Sequence, residues 1–256
     1  MDRGTAPSAA HRLSATLTQR AARWIVSLTG VAAELHQAER SRSIRHPVPV
    51  GVDRGIMSLC VAADANGTPF EIFEGVKTLR EAQRTLKAAN QALARTTPGS
   101  KGRERARSRL AKTYRKVANT RRHFVHQVSK TLVTRAQVLV IEDLNVAGMV
   151  RNHRLARSIS DAAMGELFRQ VLYKARWHGV EVRVVDRFFP SSKTCSGCGE
   201  IRNDLDLSTR TYVCGACGLA IDRDLNAAIN LARWRPKEPS AVTMLDPTPA
   251  LLLSTA

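Results

Sequence analysis

Hydrophobic positions along the chain change their period several times, and each change marks an element. Val48 to Gly55 and Met57 to Ala63 are short aliphatic runs of strand length. Asn66-Gly67 follows, a hairpin signal because both residues tolerate the positive φ of a tight turn. Pro69 to Phe73 reads as a third strand, so three antiparallel strands open the main unit. Over 77–131 the period becomes helical. Leu79, Leu86 and Leu93 recur every seven residues with Ala82 and Ala89 between them, and Leu110, Val117 and Phe124 repeat that spacing. Thr97-Pro98-Gly99-Ser100 interrupts the pattern, which predicts a helical hairpin packed along an apolar seam. Gln137 to Ile141 predicts a buried strand. Residues 160–178 predict a helix with Leu167, Val171, Leu172 and Ala175 on one face, ended by Gly179. Val180 to Phe188 predicts another strand, and a last helix runs from about Asp224 to Trp234.

Upstream, Leu13 to Leu28 carries a shorter pattern, in which Arg23 to Leu28 alternates as a strand does. Residues 1–12 and the Pro-, Ser- and Thr-rich stretch from Arg235 onward read as disordered, and Ala33 to Pro49 as a linker. The element order predicts a mixed α/β fold: three antiparallel strands and two further strands in one sheet, flanked by helices.

Charge changes the picture. Lys and Arg number 40 against 22 Asp and Glu, a net charge of +18, which permits a polyanionic partner but fits a ribosomal or simply solvated basic protein equally well. Much of it is concentrated: residues 101–122 hold ten Lys or Arg and one acid, Glu104. Mixed charge would solvate a helix equally well, so a single-sign run favours contact with a phosphate backbone. Lys101, Arg103, Arg105, Arg107, Arg109, Lys112, Arg115 and Lys116 are the candidate contacts. There is no leader-like apolar segment near the start and no run of 18 apolar residues. The expectation is an intracellular protein, cytoplasmic and associated with the nucleoid, without a membrane partner.

Two constellations carry chemistry. Cys195 and Cys198 form one CxxC pair, Cys214 and Cys217 a second, with Gly199 and Gly218 just after them. Two matched turns of this kind present four thiolates tetrahedrally to one Zn²⁺, and four protein ligands leave no position open for water. The site is therefore expected to be structural, holding together a module too small for a core of its own. Cys60 stands alone in an apolar strand and reads as a core residue. The second constellation is acidic. Asp53 lies on the first strand of the main unit, Glu142 ends an aliphatic strand, and Asp224 opens the last helix. In a central sheet these positions can converge. Converging carboxylates repel, so they need cations between them. Two Mg²⁺ ions roughly 3.5–4 Å apart could clamp the attacking water and the leaving oxygen of a phosphodiester, and hard Mg²⁺ prefers such oxygen ligands.

The order GVDRG, VLVIEDLN, FFPSSKTCSGCG, YVCGACG and IDRDLNAAINLARW resembles the TnpB proteins of bacterial insertion sequences, relatives of type V CRISPR nucleases, over roughly residues 50–234. The resemblance implies an RNase H-like (RuvC) core at 50–190, a zinc ribbon at 191–220 and a closing core helix at 221–234. It implies Asp53, Glu142 and Asp224 as catalytic acids, and guide RNA, DNA, Zn²⁺ and Mg²⁺ as partners and cofactors. Asp224 is preferred to Asp222 because the family's acid stands two residues before an Asn, here Asn226; Asp222 then reads as a helix cap. Arg54 occupies a position that is usually aliphatic in the family. The family also carries a wedge barrel and a helical recognition insert ahead of the core. With about 50 residues before Asp53, fewer than an independent domain needs, the chain reads as shortened, Arg20 to Leu28 resembling the barrel's last strand. The competing readings are a nucleic-acid-binding remnant that does not cut and a transposase acting by strand transfer.

Overall fold

The structure is a computed structural model that describes residues 11–20, 23–31, 46–75, 78–153, 156–206 and 209–236. The linker over 33–45 and the tail from 237 lie outside these residues, as does most of the segment read as a disordered start. β1 (His11–Arg20) and β2 (Arg23–Val31) form an antiparallel ribbon. The alternation at Arg23 to Leu28 is thus a strand, but its partner β1 begins at His11, inside the stretch expected to be disordered.

β3 (Val50–Arg54), β4 (Ser58–Asp64) and β5 (Pro69–Glu74) follow as the expected antiparallel trio. Gly67 closes the β4–β5 turn at φ 85°, and the Asp64 carboxylate accepts the backbone N–H groups of Asn66 and Thr68 there. The helical hairpin is α1 (Thr78–Ala94) and α2 (Lys101–Arg135). Its turn is made by Gly99 at φ 77° and by Ser100, whose hydroxyl accepts the Arg103 N–H and caps α2. β6 (Val138–Glu142), a short α3 (Val146–Val150), α4 (Ala156–Ala162) and α5 (Met164–His178) come next. The single helix expected at 160–178 is therefore two. Ala163 takes a left-handed conformation at φ 55° and breaks it, a break that apolar periodicity does not register. Gly179, at φ 63°, ends α5 as predicted.

β7 (Glu181–Val185) stops three residues short of the expected Phe188. Asp186 starts a turn in which its carboxylate accepts the Phe188 N–H. Then come β8 (Thr211–Val213), β9 (Ala220–Asp222) and α6 (Arg223–Arg233). The main sheet has the order β5-β4-β3-β6-β7, antiparallel through β5, β4 and β3, and parallel through β3, β6 and β7. This is the mixed α/β layout read from the sequence.

Side-chain alternation divides the two faces of the sheet. Val50, Val52, Leu139 and Ile141 point to one face and bury against Val125, Val128 and Leu132 of α2 and Leu167 and Val171 of α5. The intervening positions point to the other. There Val61 and Ala63 pack on Ala228 and Ile229 of α6, and Val140 and Val185 pack on Leu231. Gly51 sets how close α6 can come. A Cβ at that position would lie 2.0 Å from the Ala228 carbonyl oxygen and 2.4 Å from the Ala232 nitrogen. Among the described residues, no helix is long and apolar enough to cross a membrane.

Candidate metal centres and nucleic-acid interface

The alternation that sorts the core also places the acids. Asp53 shares the parity of Gly51, and Glu142 that of Val140, so both side chains lie on the α6 face. Val52 pairs with Ile141 across the parallel β3–β6 junction, which brings the two acids side by side at the strands' C-terminal ends. The third acid arrives from α6. The Asp222 carboxylate accepts the N–H groups of Asp224 and Leu225, so Asp222 is the N-cap and Asp224 sits in the first helical turn. A Cβ on Gly55, just past β3, would lie 3.8 Å from the Asp224 Oδ2.

The acids feel this crowding. Burial first, then the charges of Asp224 and Glu142, push the Asp53 carboxyl from 3.8 up to about 8. Burial raises Glu142 from 4.5 to about 7, against the pull of Arg54, and burial followed by Asp222 raises Asp224. All three remain partly accessible. Nearby arginines lower these values without cancelling the burial, so ionising all three acids together is disfavoured unless another cation joins them. Arg54 is not that cation. It points through the sheet to the opposite face, where its guanidinium donates to the carbonyl oxygens of Met164 and Glu142 and stacks 4.6 Å over the Phe168 ring. It fixes the backbone of Glu142 while leaving that carboxylate on the α6 face. Asp143, next in the chain, is paired with Arg187.

The four cysteines come together as their spacing predicts, with all four Sγ atoms within 4.8 Å of one another. Cys195 and Cys217 sulfurs are 3.6 Å apart, and those of Cys198 and Cys214 3.5 Å. Four Zn–S bonds of about 2.3 Å in a tetrahedron put sulfurs about 3.8 Å apart, so this donor set fits Zn²⁺. The backbone N–H of Cys217 draws the Cys214 thiol down to about 6, while hydrogen bonds among the clustered sulfurs leave the Cys198 and Cys217 thiols raised, against the backbone donors that lower them. Tyr212, fully buried, and Leu205 fill the small core under the cysteines. Cys60 is fully buried in the main core, where burial drives its thiol far above the ordinary range; it is a packing residue.

The basic candidates line α2. Lys101, Arg105, Arg109, Lys112 and Lys116 are exposed, and at about 100° per residue they fall within one stripe roughly 22 Å long. Arg107 is exposed on another side. Arg103 is half-buried and donates to the Thr96 carbonyl, tying the α1–α2 turn together, and Arg115 is half-buried.

Comparison with known proteins decides the family. Residues 37–153 match the OrfB_IS605 family, described as "Probable transposase". Residues 165–231 match the "Cas12f1-like, TNB domain" family, a stretch that includes the four cysteines and Asp224. The chain belongs to the TnpB family. TnpB relatives include a "Putative RNA-guided DNA endonuclease" of Streptomyces pristinaespiralis, 37% identical over 88% of this chain and 53% of that protein. A "TnpB-like protein" of Acanthamoeba polyphaga mimivirus is 29% identical over 72% of this chain and 36% of its own length. The chain thus spans about half or less of the curated TnpB relatives it matches. Among solved structures, a cryo-EM Cas12f1–sgRNA–target DNA complex shares the fold at TM-score 0.55 and 16% identity, covering 85% of this chain and 55% of that one.

Proposed function

We propose that this TnpB chain forms the nuclease core of a transposon-associated, RNA-guided DNA endonuclease, with Asp53, Glu142 and Asp224 as its catalytic carboxylates. The observation that carries the reading is the convergence of these acids, from β3, β6 and α6, on one partly accessible face of the sheet. That arrangement supports an RNase H-like, RuvC-type core formed by residues 50–190 and 221–234, with a zinc ribbon at 191–220 between its parts. The names of the relatives, and the guide RNA and target DNA held by the structural neighbour, support RNA and DNA as partners.

Oxygen-only donors with raised proton affinity suit a hard divalent cation. Mg²⁺ held there would supply a polarised water for attack and charge stabilisation at the leaving oxygen of a phosphodiester. The chain's own residues prepare that site. Gly51 lets α6 approach β3 closely enough to bring Asp224 to Asp53. Arg54 anchors the Glu142 backbone from behind. The α2 stripe offers a line of cations to a phosphate backbone, which positions nucleic acid without reading its sequence. The cysteine site, with four thiolates and no open position, is assigned to structural Zn²⁺.

The test is plasmid cleavage in Mg²⁺ by the chain co-expressed with its flanking DNA and purified with whatever RNA accompanies it. Cutting is expected from the wild type and not from Asp53→Ala, Glu142→Ala or Asp224→Ala. Cutting that survives all three substitutions would sink the assignment. Salt-sensitive binding with no cutting of a matched target would favour instead a nucleic-acid-binding protein, a reading that the net charge of +18 supports.

A further inference from the structure

Helix α6 has two working faces. Asp224, Ala228 and Leu231 turn toward the sheet. Asn226, Asn230 and Arg233, spaced four and three residues apart, fall on the opposite side at about 100° per residue. That second face grips the cysteine ribbon by its backbone. The Asn226 carboxamide accepts the Ser196 N–H at 2.9 Å and donates to the Thr194 carbonyl at 2.7 Å, so it brackets Cys195 from both sides. Asn230 donates to the carbonyls of Ser191 and Thr194, at 2.8 and 2.7 Å. Arg233 donates to the Ser196 carbonyl. Both asparagines are buried, Asn226 completely, as is Cys195.

A carboxamide suits the place of Asn226 because the bracketing uses one acceptor and one donor, which its Oδ1 and Nδ2 supply as separate atoms. A carboxylate would face the Thr194 carbonyl with no proton to offer, and an aliphatic side chain would leave both backbone groups unpaired in a buried place. The ribbon is also joined to α6 through the chain, since β9 runs into the helix at Asp222 without a loop. The Cys195 loop is thus gripped by α6 on one side, and a metal bound by the four cysteines would hold it on the other. Anything that reorders the Cys195 loop acts directly on the helix that carries Asp224.

We propose that Asn226 and Asn230 make the cysteine ribbon an alignment device for Asp224: the metal-held loop at Cys195 is clamped to α6, so that occupancy of the thiolate site and placement of Asp224 beside Asp53 are coupled. The asparagines are positioning residues. They touch no substrate and act through the helix. The clamp stands on the hydrogen bonds above, and its consequence for Asp224 rests on the reading of the three acids as a divalent-cation centre.

The experiment uses the full chain in three forms: zinc-loaded wild type, wild type stripped of zinc under reducing conditions, and zinc-loaded Asn226→Ala. Amide hydrogen exchange is followed over α6, with α5 as an internal control, and Mn²⁺ affinity is measured at pH 8 in the absence of nucleic acid. Stripping zinc is expected to speed exchange in the first turns of α6 and to weaken Mn²⁺ binding about tenfold or more, roughly 1.4 kcal/mol. Asn226→Ala, with its zinc retained, is expected to do both while α5 exchange stays unchanged. Exchange over α6 that matches the zinc-loaded wild type in both other forms would overturn the clamp. The stripped wild type needs no substitution, so the clamp remains testable even if Asn226→Ala does not fold. Asp53→Asn separates the two layers: Mn²⁺ affinity unchanged by that substitution would refute the cation-centre reading, while the exchange data would still judge the clamp.

Discussion

Removing one charge from the acidic cluster should stabilise the protein when no Mg²⁺ is present. The substitution is Asp53→Asn, which keeps the shape of the side chain and deletes its titration. In the folded chain, burial and then Asp224 and Glu142 lift the Asp53 carboxyl from 3.8 to about 8. The sign follows from linkage. Between those values the folded state holds a proton that the unfolded state releases, so this acid's contribution is fully present below about pH 4 and is lost as pH rises toward 8. Each unit of displacement is worth about 1.4 kcal/mol, and water reaching a partly accessible group trims the total, so a penalty on the order of 3 kcal/mol at pH 8 is expected. For a chain of this size that corresponds to a melting temperature roughly 6–12 °C higher in the variant. The assay is thermal unfolding from pH 5 to 9 of protein carrying one zinc and no other divalent ion. Wild type should lose stability steadily with pH, and Asp53→Asn should lose distinctly less. Adding Mg²⁺ at pH 8 should raise the wild type alone. Glu166, held low by its hydrogen bond to Arg169, titrates below this window, and Lys174, drawn down to about 8 by burial, titrates inside it; both are common to the two proteins, so the comparison between them isolates Asp53. Parallel pH profiles for the two proteins would show that Asp53 carries no such penalty.

Three further outcomes follow from the same geometry. Gly51→Ala would drive a Cβ into the α6 backbone, 2.0 Å from the Ala228 carbonyl, and should cost more than about 3 kcal/mol in urea unfolding; a cost below about 1 kcal/mol would mean that α6 does not sit so close. Cys214→Ser should reduce bound zinc from about one per chain to none, measured by metal analysis of the purified protein, whereas Cys60→Ala should leave zinc content unchanged. Replacing Arg105, Arg109 and Lys112 with Gln should flatten the plot of log affinity for duplex DNA against log salt by up to about 0.9 for each phosphate the protein ceases to neutralise; an unchanged slope would remove the stripe from the interface.

Much of this architecture was legible in sequence because its signals are local. The β3–β4–β5 trio, the hairpin turn at Asn66-Gly67, the α1–α2 seam and the cysteine spacing each depend on neighbouring residues, and each is found where expected. The left-handed Ala163 was not legible, because an Ala in a helical pattern gives no sign that it will break the helix. Nor was the early end of β7, where an Asp turn cuts off an aliphatic run at Asp186. The acids could be picked out, but what holds them could not. The approach of α6 depends on Gly51 meeting Ala228 across 177 positions of sequence, and the destination of Arg54 depends on Phe168 and Met164 of a helix more than 100 residues away. The grip of Asn226 on the backbone either side of Cys195 is of the same long-range kind, since a buried polar residue shows only that it must find partners, not which ones.

Whether the three acids form a divalent-cation centre is decided best by anomalous diffraction from crystals soaked in Mn²⁺, collected so that manganese and zinc are told apart by their absorption edges. Manganese is expected between Asp53, Glu142 and Asp224, zinc at the four cysteines, and loss of the manganese signal alone in Asp224→Ala. Manganese absent from the three acids in wild-type crystals that bind it elsewhere, or present there unchanged in Asp224→Ala, would contradict that assignment.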